Sequence, residues 1–376
     1  MTKKKIRVGV IFGGKSGEHE VSLTSAQNVM DAMDKTKYDI VPIGISKTGV
    51  WSTEPNVMAQ LKDAAQHLPQ LAQQIEPNNS QHLVAFLDNS MMAVSDQTKG
   101  VDVIFPILHG PMGEDGTVQG FFELGGLPYV GCGVTSSAVA MDKAIAKDVF
   151  RAHNIPIVPH QVLMRHQVEQ NPETALNQLE ASLSYPMFAK PANLGSSVGV
   201  TKATNRAELH TGLREAAKYD RKIVIEQGVI NAREIEVSVL GNTQPKASVP
   251  GEVVPSRDFY SYAAKYIDGD SALIIPAKLT SAQTNHIQEM AIKSFQVLDC
   301  TGLGRVDFLM DKDTEEIYLN EINTMPGFTA ISMYPKLWEA SGVSYSDLID
   351  ELITLALEHH ADKERTEQSF DVSTAE

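Results

Sequence analysis

Arg305, Asp307, Glu321 and Asn323 are residues of this chain whose types and spacing suggest chemistry. Two runs with strand-like alternation carry them, residues 304–310 and 316–323, and the polar stretch 311–315 separates the two. That is the pattern of a β-hairpin. Side chains alternate along a strand, so Arg305 and Asp307 share a face, as do Glu321 and Asn323. A hairpin centred near Thr314 sets Asp307 opposite Glu321 and Arg305 opposite Asn323. Carboxylates facing each other across a ladder repel, and a divalent cation between them removes the repulsion. Hard oxygen ligands of this kind suit Mg2+, which keeps waters and is commonly shared with substrate phosphates. The other face, with Val306, Phe308, Met310, Tyr318 and Ile322, is apolar enough to be core. On this segment alone, a cation site and a merely solvated polar face both stay open.

A second group of residues is cationic. Lys190 ends a strand-like run and leads into Pro191-Ala192-Asn193-Leu194-Gly195-Ser196-Ser197-Val198-Gly199-Val200. Amides and hydroxyls of such a Gly/Ser-rich stretch could fold over a polyphosphate, although an ordinary hairpin turn has the same composition. Lys143 starts the preceding helix. Lys265 lies among Tyr260, Tyr262 and Tyr266 in a loop, 251–271, with little periodicity of its own. Loops of that length are usually lids or disordered segments. Two other glycine patterns fail on mechanics. Gly9 to Ser16 fits G-x4-G-K-S, but Val10, Ile11 and Phe12 are the strand itself, which leaves too few free amides to cradle a phosphate. Gly131-Cys132-Gly133 hints at a dinucleotide fingerprint, but Ser136 stands where the third glycine belongs.

The elements that must position these residues follow from periodicity. A buried strand over 6–12, a helix from Glu20 and a strand over 39–45 form a βαβ unit and hence a parallel sheet. A surface helix over 58–75 and a strand over 101–106 complete an open α/β domain, residues 1–135. An α+β unit, 136–228, follows, with a helix over 142–153, short strands at 187–190 and 198–200, a helix over 207–218 and a strand over 222–226. A further α+β unit, 229–361, holds a strand over 234–240, the 251–271 loop, a helix over 281–298 and the hairpin. A last helix, 345–359, should pack back on that unit, and 362–376 should be a frayed tail.

The 376 residues allow two or three domains with a sizeable core, and 42% hydrophobic with 21% charged residues is ordinary for a globular chain. A net charge of -15 argues against nucleic acid and against an anionic membrane surface as partners. Two cysteines, Cys132 and Cys300, make neither a disulfide framework nor a CxxC metal site. No apolar run approaches the ~18 residues of a membrane span and no signal-peptide core follows the basic start, so a cytoplasmic protein is expected.

Taken together, these motifs resemble the D-alanine–D-alanine ligase family of the ATP-grasp superfamily, over nearly the whole chain from Val8 to about Leu355. His109-Gly110-Pro111-Met112-Gly113-Glu114-Asp115-Gly116-Thr117-Val118-Gln119-Gly120 looks like the family's first signature. The stretch from Gly304 through Glu321-Ile322-Asn323-Thr324-Met325-Pro326-Gly327 looks like its second, and Gly13 to Ser22 resembles its N-terminal substrate loop. The resemblance implies ATP-dependent joining of two D-alanines through a D-alanyl phosphate, for peptidoglycan precursors. It further implies that Asp307, Glu321 and Asn323 hold two Mg2+ ions, with Mn2+ able to substitute, and leaves a monovalent cation open.

By the same resemblance, Arg305 stabilises charge on the acyl phosphate and tetrahedral intermediate, Lys143 and Lys190 contact the α- and β-phosphates, and Lys265 reaches the γ-phosphate. Ser196 and Ser197 belong to the ATP loop. Glu226 and Glu234 match positions holding the adenine and ribose ends, although strand-edge solvated acids would read the same way. Glu18 pairs with the ammonium of the first D-alanine, and Ser332 binds the carboxylate of the second. Ser196, Tyr266 and Glu18 form a network tying lid to substrate loop. His109 sits near the first carboxylate, a backbone-satisfied core histidine being the alternative. Glu114 and Asp115 read as turn and cap residues. A homodimer is implied. Tyr266 stands where depsipeptide-forming members carry Phe, so the expected product is the dipeptide.

Another carboxylate–amine ligase would keep the hairpin and the Lys190 loop without needing Glu18 or Ser332. A non-catalytic ATP-binding module would have no need of Arg305.

Overall fold

The computed structural model describes residues 4–67, 100–254, 272–329 and 331–367. The chain begins with β1 (Ile6–Gly13), α1 (His19–Ala32), β2 (Tyr38–Ile45), β3 (Trp51–Ser52), α2 (Val57–His67) and β4 (Val103–Ile107). β1 runs parallel to both β2 and β4, in the order β3-β2-β1-β4 with β3 antiparallel at one edge. The expected parallel sheet is therefore present. Val8, Val10, Ile11 and Phe12 are all fully buried, as suits a strand covered on both faces. β1 uses up the residues that a P-loop would wrap around phosphate. It stops at Gly13, whose φ of +93° and 2.1 Å approach of a would-be Cβ to the Ile45 carbonyl exclude any larger residue. The part of the expected 58–75 helix beyond His67 lies outside the described residues.

The chain continues with α3 (Thr117–Leu124), α4 (Val134–Met141), α5 (Lys143–Ala152), β5 (His160–Met164), α6 (Arg165–Gln170), α7 (Pro172–Ser182), β6 (Met187–Pro191), β7 (Thr201–Ala203), α8 (Arg206–Tyr219) and β8 (Lys222–Gln227). Their antiparallel sheet has the order β5-β8-β6-β7. A strand was expected over 198–200, but the loop runs on through Val200 and β7 starts at Thr201. Ser196, Ser197 and Gly199 have φ of +53°, +57° and +72°, a left-handed conformation that a strand cannot contain.

The last group is β9 (Arg233–Leu240), β10 (Lys246–Ala247), β11 (Gly251–Val254), β12 (Ala272–Ile274), α9 (Ser281–Val297), β13 (Leu303–Met310), β14 (Ile317–Asn323), α10 (Met333–Ala340) and α11 (Tyr345–Lys363). The sheet order is β12-β11-β9-β13-β14, with β10 on β9. The start of the expected 251–271 loop is thus a strand, β11, paired with β9 and β12. Residues 255–271 lie outside the described residues, and with them Lys265 and Tyr266. The face of β13 carrying Val306 and Phe308 packs on Ile287, Ala291 and Phe295 of α9.

α11 packs on α10 of its own unit, as expected, and reaches further. Its Leu348, Ile349, Leu352 and Ile353 also join the cluster of Val8, Val10, Leu23 and Phe105, so the same apolar face covers the N-terminal sheet. Leu240, Leu303, Phe328 and Tyr334 belong to the same cluster and connect the first and third sheets. The helix also runs on to Lys363, whose ammonium pairs with Glu123 of α3, so the expected tail begins helical. Residues 368–376 lie outside the described residues. Among the described residues, no helix is long and apolar enough to cross a membrane. Leu352→Ala removes a fully buried side chain at this junction and is expected to lower the unfolding free energy by about 2–5 kcal/mol, read by urea denaturation.

Candidate active site

The central and C-terminal sheets face each other across a cleft of about 410 Å3 that Lys143, Lys190, Ser196, Ser197, Glu226, Glu234, Asp307 and Glu321 all line. Lys143 is brought there by α5, whose N-cap Asp142 accepts from Ala144 N at 3.1 Å and Ile145 N at 3.2 Å. Its Nζ donates to the Leu194 carbonyl at 2.8 Å and lies 3.4 Å from Glu321 Oε2. Lys190 on β6 donates to Glu226 Oε2 at 2.5 Å. Glu226 is on the neighbouring β8, and its other oxygen is 2.9 Å from Lys147 Nζ. Burial alone would push the Glu226 carboxyl up, but Lys147 and Lys190 outweigh it and hold the group well below the usual carboxylate range. Burial likewise opposes the charge on Lys190, and the carboxylates of Glu226, Glu321 and Glu234 outweigh it and raise its pKa.

The hairpin has the register read from the sequence: Arg305 faces Asn323 and Asp307 faces Glu321. Beyond Asp307 the register shifts, so that Phe308 faces Leu319 and Asn320 is the extra residue of a bulge. Leu319 is consequently the fully buried residue and Tyr318, expected in the core, is only half-buried. Asn320 and Glu321 both line the cleft as a result. Arg305 grips Asp307 in a two-pronged contact, 2.7 Å on each arm, and its Nε is 2.9 Å from Glu236 Oε2. Burial opposes the guanidinium charge, but Asp307 and Glu236 raise its pKa well above the ordinary arginine value. Asn323 Nδ2 donates to Asp307 Oδ2 at 2.9 Å. Asp307, Glu321 and Asn323 thus offer two carboxylates and an amide on one sheet face, a hard-oxygen donor set that fits Mg2+.

The turn after β1 carries Glu18 toward the Lys190 loop, where the Ser196 hydroxyl donates to Glu18 Oε1. Ser16 Oγ donates to the His109 carbonyl at 2.7 Å, tying this turn to the end of β4. Gly110, with φ of +76°, leaves room for Glu18, since a Cβ there would stand 2.9 Å from Glu18 Oε2. His109 is buried, with Nδ1 3.1 Å from the Met325 carbonyl and 3.5 Å from Glu114 Oε1. Burial disfavours the imidazolium, but Glu114 and Glu18 outweigh it and raise the His109 pKa. Glu114 is also raised, by burial and by the Glu18 charge. Ser332 is the residue before α10, and its Oγ accepts from Thr329 N at 3.0 Å.

Three residues escaped the sequence reading. Glu114, a turn residue by its sequence context, is the carboxylate facing His109, whereas Asp115 does cap locally, accepting from Met112 N at 2.8 Å and Thr117 N at 3.0 Å. Lys147 carried one signal, its place a turn after Lys143 on a helix. Glu236 carried none beyond its alternation along β9. Glu226→Gln leaves the buried Lys147 and the part-buried Lys190 without their carboxylate and is expected to lower stability by about 3–5 kcal/mol at neutral pH. Because the folded pKa is depressed, that contribution is complete above the unfolded value of 4.5 and is lost as pH falls toward the folded value. Urea denaturation of both proteins across an acid pH series checks that the gap narrows only below this point.

Comparison with known proteins gives the same family along both halves of the chain. Residues 7–132 match the family described as "D-ala D-ala ligase N-terminus" and residues 149–354 the one described as "D-ala D-ala ligase C-terminus". A D-alanine--D-alanine ligase of Heliobacterium modesticaldum is 50% identical over 361 residues, covering 96% of this chain and 97% of that one. One from Ruminiclostridium cellulolyticum is 50% identical over 372 residues, covering 97% and 98%. Among solved structures, the D-alanine-D-alanine ligase of Coxiella burnetii superposes with a TM-score of 0.78 at 34% identity, covering 96% of this chain and 97% of that one. The VanG D-Ala:D-Ser ligase of Enterococcus faecalis gives 0.79 at 34% identity, covering 94% and 100%. With its parallel N-terminal sheet and its charged cleft between two antiparallel sheets, this chain belongs to the D-alanine–D-alanine ligase family and has the ATP-grasp fold.

Proposed function

We propose that this protein joins two D-alanines into D-alanyl-D-alanine with ATP, through a D-alanyl phosphate, as a step toward peptidoglycan precursors. The observation that carries the reading is the convergence of Lys143, Lys190, Asp307 and Glu321 on one cleft, with Arg305 gripping Asp307. A carboxylate is a poor electrophile at neutral pH. The first D-alanine's carboxylate therefore takes the γ-phosphoryl group and ADP leaves. The amine of the second attacks the acyl carbon, and the tetrahedral intermediate expels phosphate. Positioning and charge neutralisation supply most of the rate.

In this reading Lys143 and Lys190 hold the α- and β-phosphates under the Ser196 and Ser197 loop, and Lys265 reaches the γ-phosphate. Glu226 accepts a hydrogen bond from the adenine amino group and Glu234 from the ribose hydroxyls. Arg305 turns its rigid fork of donors to the charge that develops on the transferred phosphoryl group and on the tetrahedral oxygen. Glu18 pairs with the first ammonium and His109 stands near the first carboxylate. Ser332 binds the second carboxylate. Ser196 and Tyr266 keep Glu18 in place, and the Tyr266 hydroxyl favours dipeptide over depsipeptide. Asp307, Glu321 and Asn323 would hold two Mg2+ ions, with Mn2+ able to replace them; bound there, the metal neutralises phosphate oxygens.

Residues 1–135 then serve as the D-alanine-binding domain, 136–228 and 229–361 as the two halves of the ATP clamp, and 362–376 as a tail. The enzyme works in the cytoplasm as a homodimer.

Phosphate release from ATP and Mg2+ is expected to depend on D-alanine, with the dipeptide as product; depsipeptide from added D-lactate would overturn the specificity, and D-alanine-independent release the substrate. Lys190→Ala is expected to weaken ATP binding about ten- to hundredfold. Lys15→Ala, at the false P-loop, leaves it unchanged; calorimetry of both variants separates the two loops.

A further inference from the structure

We infer that Lys147 is a positioning residue for the purine base, the fixed counter-ion of Glu226, while Lys190 is the counter-ion that a bound nucleotide displaces. This rests on the reading of Glu226 as the adenine contact and Lys190 as a phosphate contact.

Lys147 sits one helical turn after Lys143 on α5, with its side chain only 1% exposed. A lysine is seldom buried so completely unless it is paired. Its Nζ lies 2.9 Å from Glu226 Oε1 and 3.5 Å from the carbonyl of Asn320, the bulge residue beside Glu321. Lys190 differs from it in position. That side chain is 15% exposed, lines the cleft, and meets the other oxygen of the same carboxylate at 2.5 Å. Each Glu226 oxygen therefore has its own lysine, one held inside the protein and one at the cleft wall.

The consequence is an exchange of partners. When Lys190 turns to phosphate oxygens, Glu226 Oε2 opens toward the cleft while Lys147 still neutralises the carboxylate. An ionised carboxylate only accepts hydrogen bonds, so it favours the 6-amino group of adenine and opposes a 6-carbonyl. Without Lys147 the buried carboxylate has a single cation left. Either Lys190 stays on Glu226 and is lost to the phosphates, or it leaves and a proton must replace it. A protonated carboxyl can donate to a 6-carbonyl, and the distinction between the bases fades. The Asn320 contact ties the same ammonium to β14, so base recognition and the acidic hairpin share one cation.

Inosine triphosphate, with a carbonyl in place of the adenine amino group, is the probe. Steady-state kinetics with ATP and with inosine triphosphate, together with thermal midpoints, are measured for wild type, Lys147→Met, Glu226→Gln and the double variant. Wild type is expected to favour ATP by about tenfold or more in kcat/KM. Lys147→Met should lose most of that preference and raise KM for ATP about tenfold, with KM for D-alanine unchanged. In the double variant the Lys147 change should add almost nothing to Glu226→Gln, the sign that it acts through that carboxylate. Retained ATP preference in a folded Lys147→Met protein overturns the inference. So does a double variant about tenfold worse than Glu226→Gln in KM for ATP, a comparison that still decides if Lys147→Met alone does not fold. A wild type indifferent to the base overturns instead the reading of Glu226 on which the inference stands.

Discussion

Glu236, Asp307 and Glu321 stand side by side across β9, β13 and β14, three carboxylates on one face of one sheet. Like charges set directly opposite each other destabilise a ladder, and burial deepens the cost. Arg305, from the same strand as Asp307, lies between two of them, touching both Asp307 and Glu236, while Lys143 approaches Glu321 from α5. Much of the surrounding architecture serves that compensation. α5 must bring its first residue to the hairpin, and Asp142 fixes the start of the helix while also accepting from Lys222 at 2.6 Å. The central sheet must then face the C-terminal one closely enough for a lysine to span the gap.

The same arrangement explains how a cleft so rich in charge is stable before any nucleotide enters. Lys190 rests on Glu226, Lys143 between Leu194 and Glu321, and Arg305 on Asp307. These internal pairs stand in for the phosphates and cations of the proposed ternary complex. Binding would then exchange one set of ionic partners for another and desolvate few new charges, which favours rigid, preorganised groups. Lys147 makes the exchange feasible, since it remains with Glu226 from behind the cleft wall.

Much of this was legible in residue types. The parallel sheet followed from βαβ spacing, and the Arg305–Asn323 and Asp307–Glu321 register from the length of a polar turn. The bulge at Asn320 was not legible, because an extra residue in one strand leaves alternation intact on each side and only the pairing exposes it. The length of the Lys190 loop is hidden for a related reason. Val198 and Val200 favour strands by type, but the positive φ values of Ser196 and Ser197 delay β7 to Thr201. Glu114 read as a turn residue because nothing local reveals that the loop folds back under His109.

By itself the sequence determined which chemical groups are available and in which local element each one lies, since those follow from periodicity, capping and turn chemistry within a few residues. Tertiary structure decided which distant groups meet. Glu18 and Ser196 are 178 residues apart along the chain, and Lys190 and Glu226 lie on different strands. The C-terminal helix, expected on its own unit, meets that unit and also covers the N-terminal sheet. Its apolar stripe specified burial but no partner, because the hydrophobic effect is non-directional and only shape and connection select the surface it covers.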